Sequence, residues 1–154
     1  MISLVPMSEV DYQAYLEKMI PEYAAEKVMA GNWTETEALE LSRKDYARLL
    51  PEGLQTAGNF LFNLINENNE TVGFLWYARV EKYPEVAFIF DFEIYSAFRR
   101  RGYASQALAA LEHQARARGF KKLELHVFGN NLAARELYKK SGFVETNVNM
   151  ARDL

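Results

Sequence analysis

Cysteine is absent from the 154 residues. That removes a disulfide framework, a thiolate metal site and a covalent thioester on the protein itself, and it permits a reducing compartment. No uninterrupted apolar run approaches the roughly 18 residues of a membrane span. The first residues, Met1-Ile2-Ser3-Leu4-Val5-Pro6, lack a basic leader and a long apolar stretch, and Glu9 and Asp11 follow at once, which argues against a secretory signal. His113 and His126 are the only histidines. They read as an exposed helix residue and a strand residue, with no metal-ligand spacing around them, so no metal is expected. The expectation is a soluble, cytoplasmic protein forming one domain over residues 1–154, since domains of roughly 100–200 residues are the norm.

What is present is unevenly placed. Between Arg99 and Lys122 there are seven basic residues against one acid, Glu112, a local +6 that leaves −9 for the rest of a chain whose total is −3. Residues 1–58 carry ten acids and five bases. A cationic segment inside an acidic body suits an anionic ligand, or simply a solvated helix face. Nucleic acid fits it poorly, because the aromatic residues fall mostly in core-patterned strands and offer no stacking platform.

The periodicity predicts a short strand over Ile2–Val5 and a helix capped by Ser8 with Asp11, carrying Tyr12, Tyr15, Leu16 and Met19 on one face. Pro21 and Gly31-Asn32 punctuate this region. Thr34 with Glu37 starts a second helix that stops before Pro51. From residue 60 the period falls to two. Strands over 60–65 and 71–80 make a hairpin around Asn66-Glu67-Asn68-Asn69, and a third strand covers Val86–Tyr95. A helix then runs from Gly102 to Gly119, followed by a strand over Lys122–Val127, a helix from Asn131 to Gly142 and a last strand over Phe143–Met150. The strand–helix–strand unit from Val86 to Val127 favours a parallel, right-handed crossover. The fold class is therefore α+β: a mixed, mostly antiparallel central sheet with one parallel β-α-β unit and helices on its faces.

Three groups of residues carry chemistry. Arg99-Arg100-Arg101-Gly102-Tyr103-Ala104 stands between a strand end and a helix start. Unpaired amides and the helix dipole attract an anion there. Gly102 leaves room for a phosphate, Ala104 and Ser105 keep the first turn small, and the arginines add bidentate donors. An arginine-rich loop before an ordinary helix is the competing reading. Asp91 and Glu93 interrupt an apolar strand in which Val86, Phe88, Phe90, Phe92 and Ile94 are assigned to the opposite face. Such breaks of pattern concentrate at functional sites, and one of the two carboxylates is a candidate general base. Asn131 is placed to cap a helix, and Tyr138 follows two turns later on the same face, where its hydroxyl can protonate a leaving group.

Together these groups resemble the GNAT superfamily of acetyl-CoA-dependent N-acetyltransferases. Arg99 to Ala104 satisfies the family's pyrophosphate motif (Gln or Arg, two residues, Gly, one residue, Gly or Ala), and Asn131, Ala134, Leu137-Tyr138 and Gly142-Phe143 satisfy its later signature. The resemblance covers nearly the whole chain. It implies a GNAT-like fold and acetyl-CoA as cosubstrate, its pyrophosphate held by backbone amides from Arg100 to Ala104. Phe92, Glu93 and Ile94 would pair with the pantetheine arm like an added strand. Asn131 would touch that arm, and Tyr138 would protonate the departing thiolate. The amine would attack the thioester directly, in agreement with the missing cysteine. Glu93, then Asp91, are the candidates for the base. Tyr23, Glu26, Asn32 and Trp33, around the Gly31 break, are candidates for the acceptor side, with core packing as the competing reading for Tyr23 and Trp33. Family members are often dimers, so a homodimer is allowed, although no sequence feature marks the pairing edge. The alternative function is a catalytically silent CoA-binding sensor.

Overall fold

The computed structural model describes all of residues 1–154. Strand β1 (Ser3–Pro6) is followed by helices α1 (Glu9–Met29) and α2 (Glu35–Leu49). The cap of α1 is the one its spacing predicts. The Ser8 hydroxyl accepts from the Asp11 amide at 3.1 Å, and the Asp11 carboxylate accepts from the Ser8 amide at 3.0 Å, so two otherwise orphaned donors are satisfied. Pro21, expected to punctuate this region, lies inside an uninterrupted α1. It sits on the exposed side, as does Glu17, whose carbonyl loses its amide partner to the proline. The cost of about 3 kcal/mol is outweighed by burial of Tyr12, Tyr15, Met19 and Ala24 on the opposite side of the same helix.

Strands β2 (Asn59–Ile65), β3 (Thr71–Val80) and β4 (Tyr83–Ile94) form an antiparallel meander. Helix α3 (Tyr103–Ala117) crosses over to β5 (Lys122–Leu125), which joins β4 in parallel, and α4 (Leu132–Lys140) follows. The strand order is β1-β2-β3-β4-β5, with β1 antiparallel to β2, the mixed sheet the sequence implies. Its central strand, β3, is buried from Val72 to Ala78 because both faces are covered. Leu75 and Tyr77 meet Ala107, Leu108 and Leu111 of α3 on one side. Phe74 and Trp76 meet Tyr12 and Tyr15 of α1 and Tyr46 of α2 on the other. No helix is long and apolar enough to cross a membrane.

Three expectations about strands need correction. Val86, Phe88, Phe90, Phe92 and Ile94 do not share a face. Trp76 pairs with Asp91 but Tyr77 pairs with Ile89, so Phe90 is the extra residue of a β-bulge, and alternation slips by one beyond it. Ile89 therefore joins Phe92 and Ile94 on the α3 side, while Phe90 is 42% exposed and stacks on Trp76 with centroids 4.6 Å apart. The strand expected over 122–127 ends at Leu125, and Phe143–Met150 forms no strand at all. Beyond β5 the sheet has no further ladder, and an extended segment without a neighbour has no backbone partners to hold it.

Candidate active site

The segment between β4 and α3 presents an uncommitted row of donors. From Arg100 to Ser105 no backbone N–H reaches a carbonyl acceptor within the chain. Gly102 is the N-cap of α3 at φ +78°, and Arg100 also has positive φ, +62°; left-handed residues of this kind are the turns from which anion nests are built. Two of the three arginines hold the loop: Arg99 Nε donates to the Ile94 carbonyl at 3.0 Å, and Arg101 donates to Ala97 at 3.2 Å. Tyr103 is buried, and its hydroxyl accepts from Asn66 at 3.4 Å, which ties the start of α3 to the β2–β3 turn. Beside the loop, the buried Oε1 of Gln106 has no partner. A helix start with free amides, mounted rigidly and exposed at Arg100, Arg101 and Gly102, fits a phosphate group.

Next to this row the sheet opens. β5 pairs with β4 only from Val86 to Ile89, whereas β4 continues along β3 as far as Ile94. The outer edge of Asp91, Phe92, Glu93 and Ile94 therefore lacks a strand neighbour. The bulge at Phe90 causes the divergence, since a bulge bends its strand and increases its twist.

Asp91 and Glu93 share one face, as the alternation predicts; that face is the α1 side of this opening, and there the two lie in different environments. Asp91 Oδ2 accepts from the Tyr15 hydroxyl at 2.8 Å. Burial pushes its pKa up to about 7; the Tyr15 bond opposes that rise, and the charges of Glu93 and Glu26 add to it. Glu93 instead accepts from Lys18 Nζ at 2.9 Å. The Lys18 ammonium also lies 4.6 Å from the Tyr95 ring centroid and 5.3 Å from that of Phe74. Burial works against its charge, but the Glu93 bond and charge outweigh it, and the net pKa is raised. Lys18 thus balances the local negative charge. Lys18→Met is expected to leave Glu93 unneutralised and to move the titration of Asp91 upward by about half a unit to one unit, read as a shift of the pH–rate profile or of the carboxyl carbon resonance.

Asn131 caps α4 by accepting from the Ala134 amide at 3.2 Å, and Gly142, at φ +92°, follows the helix end. Tyr138 packs against Phe143 with centroids 5.5 Å apart and joins the α3-side cluster. Burial first, and the Asp91 charge second, hold its phenol above the usual pKa, so Tyr138 is protonated at neutral pH and within electrostatic reach of Asp91. Of the acceptor-side candidates, Tyr23 and Trp33 pack edge to face at 5.4 Å. Tyr23 also donates to Asp45 at 3.3 Å and meets Tyr46 at 6.0 Å, which links it through Tyr46 to Tyr15. Glu26 faces the carboxylates: its pKa is raised by enclosure and by the charges of Glu22 and Glu93. Asn32 is exposed in the turn after α1.

Sequence reasoning missed Tyr15, Lys18 and Gly73. The first two read as ordinary helix residues, because their partners lie 76 and 75 residues away. Gly73 does carry a signal, since an isolated strand glycine often marks a close backbone approach. A Cβ at this position would lie 2.0 Å from the Glu93 carbonyl oxygen.

A nested amide row at a helix start, a bulged and splayed β4 and a following capped helix together define an acetyltransferase fold. The sequence profile of the Acetyltransferase (GNAT) family matches residues 17–143, and the chain belongs to this family. It is 44% identical over 154 residues to the uncharacterized N-acetyltransferase YycN of Bacillus subtilis (strain 168), covering 99% of each chain. The crystal structure of YycN superposes with a TM-score of 0.92 at 43% identity, over 100% of this chain and 99% of that one. YdgE, a second uncharacterized N-acetyltransferase of the same organism, is 35% identical over 153 residues, covering 99% of this chain and 98% of its own. AAC(6')-Iy in complex with the bisubstrate analog CoA-S-monomethyl-acetylneamine shares the fold, with a TM-score of 0.59 at 16% identity over 100% of this chain and 99% of that one.

Proposed function

We propose that this chain transfers an acetyl group from acetyl-CoA to a cationic primary amine, by direct attack in a ternary complex. The observation that carries the reading is the position of Asp91, a carboxyl titrating near 7, at the unpaired edge of β4 that leads into the free amides of Arg100–Ser105. In this reading those amides and the α3 dipole bind the pyrophosphate, with Tyr103, Ala104 and Ser105 forming the first turn. The edges of Phe92, Glu93 and Ile94 receive the pantetheine arm, and Asn131 and Ala134 border it. Acetyl-CoA supplies the activated acyl group.

The roles of the two carboxylates differ from the order suggested by sequence. Glu93 is tied to Lys18, so Asp91 becomes the first candidate for the base. A lysine-like amine with a pKa of about 10.4 gives its proton to an ordinary aspartate (about 3.9) only at roughly 9 kcal/mol; to a carboxylate near 7 the cost is about 4.6 kcal/mol. The freed nitrogen forms the C–N bond as the C–S bond breaks. Tyr138 offers its proton to the departing sulfur, and the second amine proton restores the phenol. Glu93 and Glu26, whose charges reach Asp91, with Glu22 beside Glu26, favour an acceptor carrying positive charge. The AAC(6')-Iy complex with the bisubstrate analog CoA-S-monomethyl-acetylneamine supports this at the level of the fold.

Tyr138→Phe tests the reading. It is expected to lower kcat about 10²-fold, the lower end of what general acids contribute, while the affinity for acetyl-CoA in calorimetry stays within a factor of about two to three. An unchanged kcat would remove Tyr138 from the mechanism.

A further inference from the structure

Asp91 stands at an irregular point of its strand. The bulge residue Phe90 directly precedes it, and a bulge disrupts the local ladder and re-aims the side chains beside it. Its same-face neighbour on β4, Glu93, carries a like charge that works against its own. What holds the carboxylate comes instead from across the sheet. The Tyr15 hydroxyl of α1, 76 residues away in the chain, donates to Asp91 Oδ2 at 2.8 Å.

Tyr15 is itself firmly held. It lies on the buried side of α1 with Tyr12 and Met19. Its ring meets Phe74 of β3 edge to face at 5.0 Å and Tyr46 of α2 edge to face at 6.3 Å, and stacks on Tyr12 at 6.5 Å. A phenol enclosed by rings from α1, α2 and β3 is locked by packing, the condition under which one group can aim another. Burial first, and the Asp91 charge second, push its pKa well above the usual value, so the hydroxyl stays a donor throughout the neutral range. With Oδ2 committed to that donor, Oδ1 is the oxygen left to take a proton from the amine.

We propose that Tyr15, on the reading that Asp91 is the base, is its positioning residue: the hydroxyl fixes the carboxylate toward the acceptor and touches neither the amine nor acetyl-CoA. The other groups facing Asp91 do not replace it. Glu93 and Glu26 oppose its charge, and Lys18 is committed to Glu93. The phenols of Tyr46 on α2 and Tyr138 on α4 feel that charge, but of these side chains only Tyr15 donates a hydrogen bond to the carboxylate.

Tyr15→Phe keeps the ring and deletes the donor. A hydrogen bond to a carboxylate favours its charged form, so the Asp91 carboxyl carbon is expected to titrate about one unit higher in this variant. On the plateau above that midpoint, kcat/KM is expected to fall roughly tenfold as the base loses its aim, with acetyl-CoA affinity in calorimetry unchanged. Tyr12→Phe, which removes a hydroxyl of the same cluster on the Gly53 side, is expected to alter neither. Repeated in an Asp91→Asn chain, Tyr15→Phe is expected to cause no further loss, because two residues acting as one unit do not add. In the wild type, the Tyr15 ring carbon that bears the hydroxyl is expected to shift through the same midpoint as the Asp91 carboxyl. The same loss on both backgrounds, or a Tyr15 resonance that stays flat through that midpoint, overturns the proposal and leaves Tyr15 a packing group. So does an unchanged kcat/KM in Tyr15→Phe where Asp91→Asn alone shows its loss. Full activity in Asp91→Asn would instead remove the base assignment, and the role of Tyr15 with it.

Discussion

Asp91→Asn is expected to lower kcat/KM for a lysine-like amine by about 10²- to 10⁴-fold, the range associated with general-base catalysis. It should also remove the ascending limb expected of the wild type near pH 7, the value to which burial pushes this carboxyl. On this account the wild-type rate rises with pH as the carboxylate form of the base appears, whereas asparagine has no such form. Folding stability should move in the opposite sense. A folded-state pKa near 7, against about 3.9 unfolded, means the folded protein binds the proton more tightly, so stability falls as pH rises from about 4 through 7. At pH 8 the asparagine variant is expected to be more stable by up to about 4 kcal/mol, and at pH 4 to be equal to the wild type, by urea unfolding. A variant that loses activity and gains stability at high pH separates a catalytic carboxylate from a structural one. Equal loss of both would assign Asp91 to the fold alone.

Gly73→Ala is the second large effect. Gly73 pairs with Ile94 across the β3–β4 ladder, and an added Cβ would meet the Glu93 carbonyl oxygen at 2.0 Å and the Ile94 Cα at 3.1 Å. Both are backbone atoms, so no side chain can rotate away, and the strands must separate. Overpacking of a sheet interior typically costs about 1–3 kcal/mol and occasionally more; with backbone on both sides, about 3 kcal/mol or more is expected here. The displaced segment is the one proposed to receive the pantetheine arm, so acetyl-CoA affinity should fall along with stability. Urea unfolding and calorimetry measure the two. A loss below about 0.5 kcal/mol would mean that β4 shifts freely at this position.

The features legible in the sequence are those decided by neighbours along the chain. The Ser8–Asp11 cap of α1, the Asn131 cap of α4 and the positive φ of Gly142 at the end of that helix depend on residues a few positions apart, and their residue types announce them. The surroundings of Asp91 and Glu93 were not legible. Their carboxylates are distinguished by Tyr15 and Lys18 of α1, and which residues of that helix face the opening depends on how it packs across the sheet. The bulge at Phe90 escaped for a related reason: an unbroken apolar run offers no mark where one residue is left over, so the alternation was assigned to the wrong face up to Ile89. Pro21, expected to punctuate the region, continues α1 because an exposed position on a helix anchored by its other face accommodates it.

The most direct measurement for the central claim is a panel of primary amines, from neutral to multiply cationic, presented with saturating acetyl-CoA and read by release of free thiol. The account predicts amine-dependent thiol release, greatest for cationic acceptors, rising through pH 7 and abolished by Asp91→Asn. Tight binding of CoA with no thiol release across the panel would contradict it and would leave a CoA-binding sensor in its place.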